Sequence, residues 1–129
     1  MNAFDIMQPH VITSHETATL REIAAHMVVG RISGFPIVDE SRTVVGIVTE
    51  IDVIKAFISG MSLDTSCAAD VMSHELIWVD AELPLDEVMR VLTEEHIIRV
   101  PVLSGGELVG IVSRGDVLRA LLNQAAKAA

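Results

Sequence analysis

The stretch Val45-Gly46-Ile47-Val48-Thr49-Glu50-Ile51-Asp52-Val53 returns 64 residues later as Val109-Gly110-Ile111-Val112-Ser113-Arg114-Gly115-Asp116-Val117. Its upstream flanks return at an offset of 65: Asp5-Ile6-Met7 as Asp70-Val71-Met72, and Phe35-Pro36-Ile37-Val38 as Val100-Pro101-Val102-Leu103. The second copy has therefore lost one residue in the turn between its two strands. An apolar run entering a Thr/Ser-x-x-Asp step reads as a strand feeding a capped helix. Two copies of such a unit predict a domain with pseudo-twofold symmetry and two related clefts.

Working outward, Val11-Ile12-Thr13 reads as extended in the first repeat. A helix follows over residues 17–31, with Leu20, Ile23, Ala24, Met27 and Val28 as its inward stripe. Thr19 and Glu22 have capping-box spacing, and Gly30 is a stop signal. Strands are expected over 34–39 and 43–48, joined at Glu40-Ser41-Arg42. The second of these is apolar enough to be covered on both faces. A helix then runs over 50–58 and ends near Gly60. In the second repeat, residues 76–79 are extended and a helix spans 84–95, with Pro84 in its first turn and Leu85, Val88, Met89 and Leu92 inward. Strands over 99–103 and 108–112 flank Ser104-Gly105-Gly106-Glu107. The last helix covers 114–124, and the alanine-rich tail 125–129 is expected to fray. The division is a first repeat 5–60, a connector 61–69 and a second repeat 70–122, together one domain. The fold class is α/β (α+β), with two small sheets and their helices packed about a pseudo-twofold axis.

The chain has 129 residues, enough for a shared core, whereas either repeat of about 60 residues is marginal alone. A formal charge of −9 disfavours a nucleic-acid or anionic-membrane footprint. It leaves room for a phosphorylated ligand held by local arginines and helix N-termini. Half the residues are hydrophobic, and part of that excess suits a subunit interface. The single cysteine, Cys67, has no internal disulfide partner, which fits a reducing cytoplasm. The N-terminus does not read as a signal peptide, and no apolar run is long enough to cross a bilayer.

The paired Val-Gly-Ile-Val-[Thr/Ser]-x-x-Asp-Val segments, each preceded by an apolar-Pro-apolar-apolar strand, resemble a tandem pair of cystathionine beta-synthase (CBS) domains, or Bateman module. The resemblance runs from Asp5 to about Leu122. It implies a regulatory, non-enzymatic module that binds AMP, ADP or ATP, with S-adenosylmethionine as the alternative ligand. It also implies a homodimer and a regulated partner protein that the sequence does not identify.

The resemblance assigns Thr49 to a phosphate and Asp52 to the ribose hydroxyls, and Ser113 and Asp116 hold the same positions in the second repeat. A carboxylate can accept from both hydroxyls of a ribose. The same spacing also makes a helix cap, and the two roles can coexist. Gly46 permits close backbone approach. Adenine would lie against the segments containing Thr13 and Phe35 in one half, and Trp78 and Val100 in the other. The residue before each proline offers its backbone to the base edge. Trp78, the counterpart of Thr13, has two readings: a stacking platform or a plug. Arg99 and Arg114 stand where the first repeat has Gly34 and Glu50, and they favour a phosphorylated ligand.

His10, His15, His26, His74 and His96 form no metal-binding spacing. No nucleophile or acid–base pair stands out, and no helix carries a basic face for DNA. A purely structural oligomerisation module remains the competing reading.

Overall fold

The computed structural model describes the backbone of residues 1–128 and side chains through residue 124; Ala129 and the side chains of the alanine-rich tail lie outside the described residues. The elements are α1 (Ala3–Ile6), α2 (Leu20–Gly30), β1 (Gly34–Val38), β2 (Val44–Thr49), α3 (Glu50–Ile58), α4 (Ala68–Val71), β3 (Val79–Asp80), α5 (Leu85–Glu94), β4 (Arg99–Ser104), β5 (Glu107–Ser113) and α6 (Arg114–Ala128). Each repeat is a mixed α/β unit of the expected order.

The chain divides into two compact units. One comprises Ile12–Leu76, and the other joins Met1–Val11 to Ile77–Ala129. Sequence repeat and compact unit are thus different divisions, because the short helix that opens each repeat docks on the other repeat's strands. In one unit the Ala3 and Phe4 amides donate to the Leu83 and Ala81 carbonyls, both at 2.9 Å, and Gln8 exchanges backbone hydrogen bonds with Ile111. In the other, the Ala68 and Ala69 amides donate to Ala18 and Glu16, and Ser73 exchanges with Ile47. Residues 61–69 are accordingly more than a connector: Met61, Leu63 and Ala68 pack on the first-repeat core.

The two sheets repeat one another. β1 and β2 pair antiparallel, with Phe35 opposite Val48, and β4 and β5 pair with Val100 opposite Val112. β3 runs parallel to β4, with Val79 beside Val102; α5 supplies the crossover that a parallel neighbour requires. In the first repeat the equivalent contact shrinks to one parallel bridge, Ser14 to Ile37. The expected strand around Val11–Thr13 is therefore a single pairing at Ser14.

The cores match position by position. Leu20, Ile23, Met27, Phe35, Ile37, Val48, Val53, Ala56 and Ala68 form one. Leu85, Val88, Leu92, Val100, Val102, Val112, Val117, Ala120 and Ala3 form the corresponding set in the other. Ile37 and Val102 are fully buried. β2 alternates between buried and half-buried residues, so its outer face is less covered than its apolar composition suggested.

Helix ends differ from the sequence reading. α2 begins at Leu20 behind Thr19, whose hydroxyl accepts from the Glu22 amide at 3.2 Å. It continues through Gly30, and Arg31 takes the left-handed cap at φ 52°. His96, its counterpart after α5, has φ 54°. Val28 lies outside the core stripe and is exposed, because a helix of this length offers only one face to its sheet.

The repeated glycines have a specific role. A Cβ on Gly46 would stand 2.8 Å from Met72 Sδ and 2.9 Å from the Ser73 carbonyl oxygen. A Cβ on Gly110 would stand 2.8 Å from Met7 Cγ and 2.9 Å from the Gln8 carbonyl oxygen. The chain that approaches these glycines is therefore the exchanged segment carrying Met72 or Met7. Gly46→Ala and Gly110→Ala should each cost about 1–3 kcal/mol by overpacking and by pushing the docked segment off the sheet edge. Urea unfolding measures this, and pairing Gly46→Ala with Met72→Ala should recover part of the loss.

Candidate ligand-binding site

Each strand-to-helix step places a hydroxyl and a carboxylate together. Thr49 ends β2, and its amide and hydroxyl donate to Asp52 Oδ2 at 2.8 and 3.0 Å. The Asp52 amide donates back to the Thr49 hydroxyl at 3.4 Å. In the second repeat, the Ser113 amide and hydroxyl donate to Asp116 Oδ2 at the same two distances, and the Asp116 amide returns a bond of 3.2 Å. Both are reciprocal capping boxes, so the capping role read from the spacing is present in both halves.

The carboxylates differ beyond the cap. Asp116 is only 4% exposed. Its Oδ1 accepts from Gln8 Nε2 at 3.0 Å and from Arg119 Nη2 in an ion pair. Burial works against its ionisation, but the hydrogen bonds from the Ser113 backbone, Gln8, the Ser113 hydroxyl and Arg119 outweigh it. They hold the carboxyl below its ordinary range. Asp52 is half-buried and, among the described residues, has only Thr49 as its side-chain partner.

The other candidate residues divide clearly. The Phe35 and Val100 side chains belong to the two cores, leaving only their backbone for a ligand. Thr13 and Trp78 each precede the residue that pairs alongside β1 or β4, which confirms their equivalence. Side chains alternate along extended chain, so both point away from the core that buries Ser14 and Val79. Trp78 is 49% exposed and fills neither core. Arg114 Nε donates to the Ile97 carbonyl at 2.9 Å, tying the start of α6 to the connection between α5 and β4, a contact that the sequence reading did not anticipate. Arg99, at the start of β4 beside Ser113, is half-buried, and its Nη1 is buried with no hydrogen-bond partner among the described residues. Sequence reasoning missed Gln8 and Arg119 at Asp116. An Asp-x-x-Arg spacing on a helix was a visible signal for Arg119; nothing local pointed to Gln8, more than 100 residues away.

Because the folded-state pKa of Asp116 is lowered, its stabilising contribution is complete above the unfolded carboxylate value of about 3.9. It is lost as pH falls through the folded value. Asp116→Asn should flatten the acid limb of stability between about pH 5 and 2, measured by thermal unfolding. Asp116→Ala should also cost about 1–3 kcal/mol, since it strips the cap and leaves buried donors unpaired.

A CBS-domain family model matches residues 3–59 and 68–123. Hypoxic response protein 1 of Mycobacterium tuberculosis is 34% identical over 120 residues, covering 92% of this chain and 84% of that protein. The crystal structure of Hypoxic Response Protein I with two coordinated zinc ions superposes with a TM-score of 0.83 at 33% identity, covering 92% of this chain and 98% of that one. The CBS domain pair of protein MJ0100, bound to 5′-methylthioadenosine and S-adenosyl-L-methionine, gives 0.79 at 28% identity over 96% and 98% of the two chains. CBSX2 in complex with AMP gives 0.84 at 25% identity, again over 96% and 98%. Among the described residues, no three His, Cys, Asp or Glu side chains are grouped to hold a metal. With its matched repeats, capped strand-to-helix steps and exchanged short helices, the chain belongs to the CBS-domain family as a tandem pair, the regulatory and non-catalytic architecture called a Bateman module.

Proposed function

We propose that this protein is a cytoplasmic sensor of adenine nucleotides, AMP, ADP or ATP, that passes its occupancy to a partner protein through rearrangement of its repeats or of a homodimer. The observation that carries the reading is Arg99. A guanidinium nitrogen buried without a hydrogen-bond partner is costly, and an anionic group supplies the missing acceptor. Within the other compact unit, Thr49 and Asp52 set a hydroxyl and a carboxylate at a helix N-terminus, groups of the kind a nucleotide requires. The AMP-bound CBSX2 pair, alike over nearly the whole chain, supports the same ligand class.

S-adenosylmethionine is the second reading, favoured by the MJ0100 pair. It lacks phosphate, and its carboxylate is the one anionic group it could offer Arg99. Regulation requires the ligand to bind two arrangements unequally. The homodimer is supported by apolar side chains that the units leave exposed: Ile51, Ile54, Phe57 and Ile58 on α3, and Leu118, Leu121 and Leu122 on α6.

Calorimetric titration of nucleotide-free protein with AMP, ADP, ATP, adenosine and S-adenosylmethionine tests the ligand. Arg99→Ala should weaken the phosphorylated ligands roughly 10- to 100-fold and adenosine no more than about twofold. Equal losses for adenosine and ATP would remove the phosphate role. Failure of every ligand to bind would favour a structural module. Ile54→Glu combined with Leu118→Glu should convert a dimer to monomer in sedimentation equilibrium; an unchanged mass would place the interface elsewhere.

A further inference from the structure

We infer that the two repeats are unequal binders: Asp52 is the ribose acceptor, and Asp116 is latched by Gln8 and Arg119 so that its repeat takes no ribose until the latch opens. The inference rests on the proposed nucleotide-sensing role and specifies which repeat performs it.

Hydrogen-bond capacity separates the two. A carboxylate oxygen accepts about two hydrogen bonds. In both repeats Oδ2 is filled by the amide and hydroxyl of the capping residue. Oδ1 decides the difference. In Asp116 it is filled by Gln8 and Arg119, and with the side chain only 2% exposed a ribose hydroxyl has neither an open lone pair nor a path to one. The cavity that Asp116 itself lines, with Met1, Gln8, Arg119 and Asn123, is about 250 Å³, smaller than ligand pockets of ~300–1,000 Å³. Asp52 Oδ1 has no partner among the described residues, so a ribose can bond there with the cap intact.

The cause is visible in the aligned repeats. Ser73 stands where the other repeat has Gln8. It is too short to reach across, and its hydroxyl accepts from the Glu75 amide at 3.3 Å. Lys55 stands where the other repeat has Arg119. An arginine presents a planar fork suited to a carboxylate, whereas a lysine is a strongly hydrated point charge. The same backbone step therefore yields a closed carboxylate in one unit and an open one in the other.

Equilibrium dialysis with radiolabelled adenosine, which offers a ribose but no phosphate to Arg99, reads the number of ribose sites directly. The wild-type protein should bind one equivalent per chain, and Asp52→Asn should abolish it. Gln8→Ala/Arg119→Ala, both exposed residues outside the core, should raise it to two, and adding Asp52→Asn to that variant should return it to one. Two equivalents on the wild-type protein, or one equivalent surviving Asp52→Asn, would overturn the inequality while leaving nucleotide sensing in place. One equivalent on the Gln8→Ala/Arg119→Ala variant would overturn the latch. No binding by either protein would sink both the latch and the sensor.

Discussion

Everything in this fold hangs on a methionine crossing a glycine. Met72 lies over Gly46 and Met7 over Gly110 at a separation that admits no side chain on the glycine. That contact fixes the short helix and the strand edge together, and the edge then receives the backbone of Ser73 or Gln8. A sheet edge left open would offer unpaired amides and carbonyls to any passing strand. Closing it also settles which residues can reach the helix start, since Gln8 meets Asp116 only because its segment is held there. Edge protection and the Gln8 hydrogen bond to Asp116 thus share one short piece of chain.

The carboxylates show how the same capping step can leave one residue more committed to structure than its counterpart. One oxygen of Asp52 ties down the amide and hydroxyl of Thr49, and the other has no partner among the described residues. Asp116 has the same anchoring, with its second oxygen committed internally. Duplication supplied two equivalent positions, and the residues at Gln8 and Arg119 separated their fates.

Much of this was legible in the sequence. The repeat gave the element order, and the step from Val48 into Asp52 placed the start of α3 at Glu50, with the strand running one residue further than expected, because a continuous apolar run gives way there to a capped helix start. Core positions such as Ile37 and Val102 followed from the same pattern. What escaped depended on partners distant in sequence. Gly46 read as a place for close approach, but only the structure shows that Met72 approaches it. Arg114 read as a partner for a phosphorylated ligand, and its guanidinium is tied to the Ile97 carbonyl by a contact that no local pattern announces. The exchange of α1 and α4 was invisible because a short helix carries no label for the strand it will join.

That exchange bears on how such a chain could arise. A single copy of the repeat carries a docking helix it cannot use and a strand edge it cannot close. An ancestral half-length protein would have needed a second copy of itself, each lending its opening helix to the other. Fusion of two copies turns that loan into an intramolecular one, at an effective concentration set by the chain rather than by the cell. Once the lenders are joined, they no longer need to be identical. Drift at Ser73 and Lys55, set against Gln8 and Arg119, then becomes possible without loss of the assembly itself.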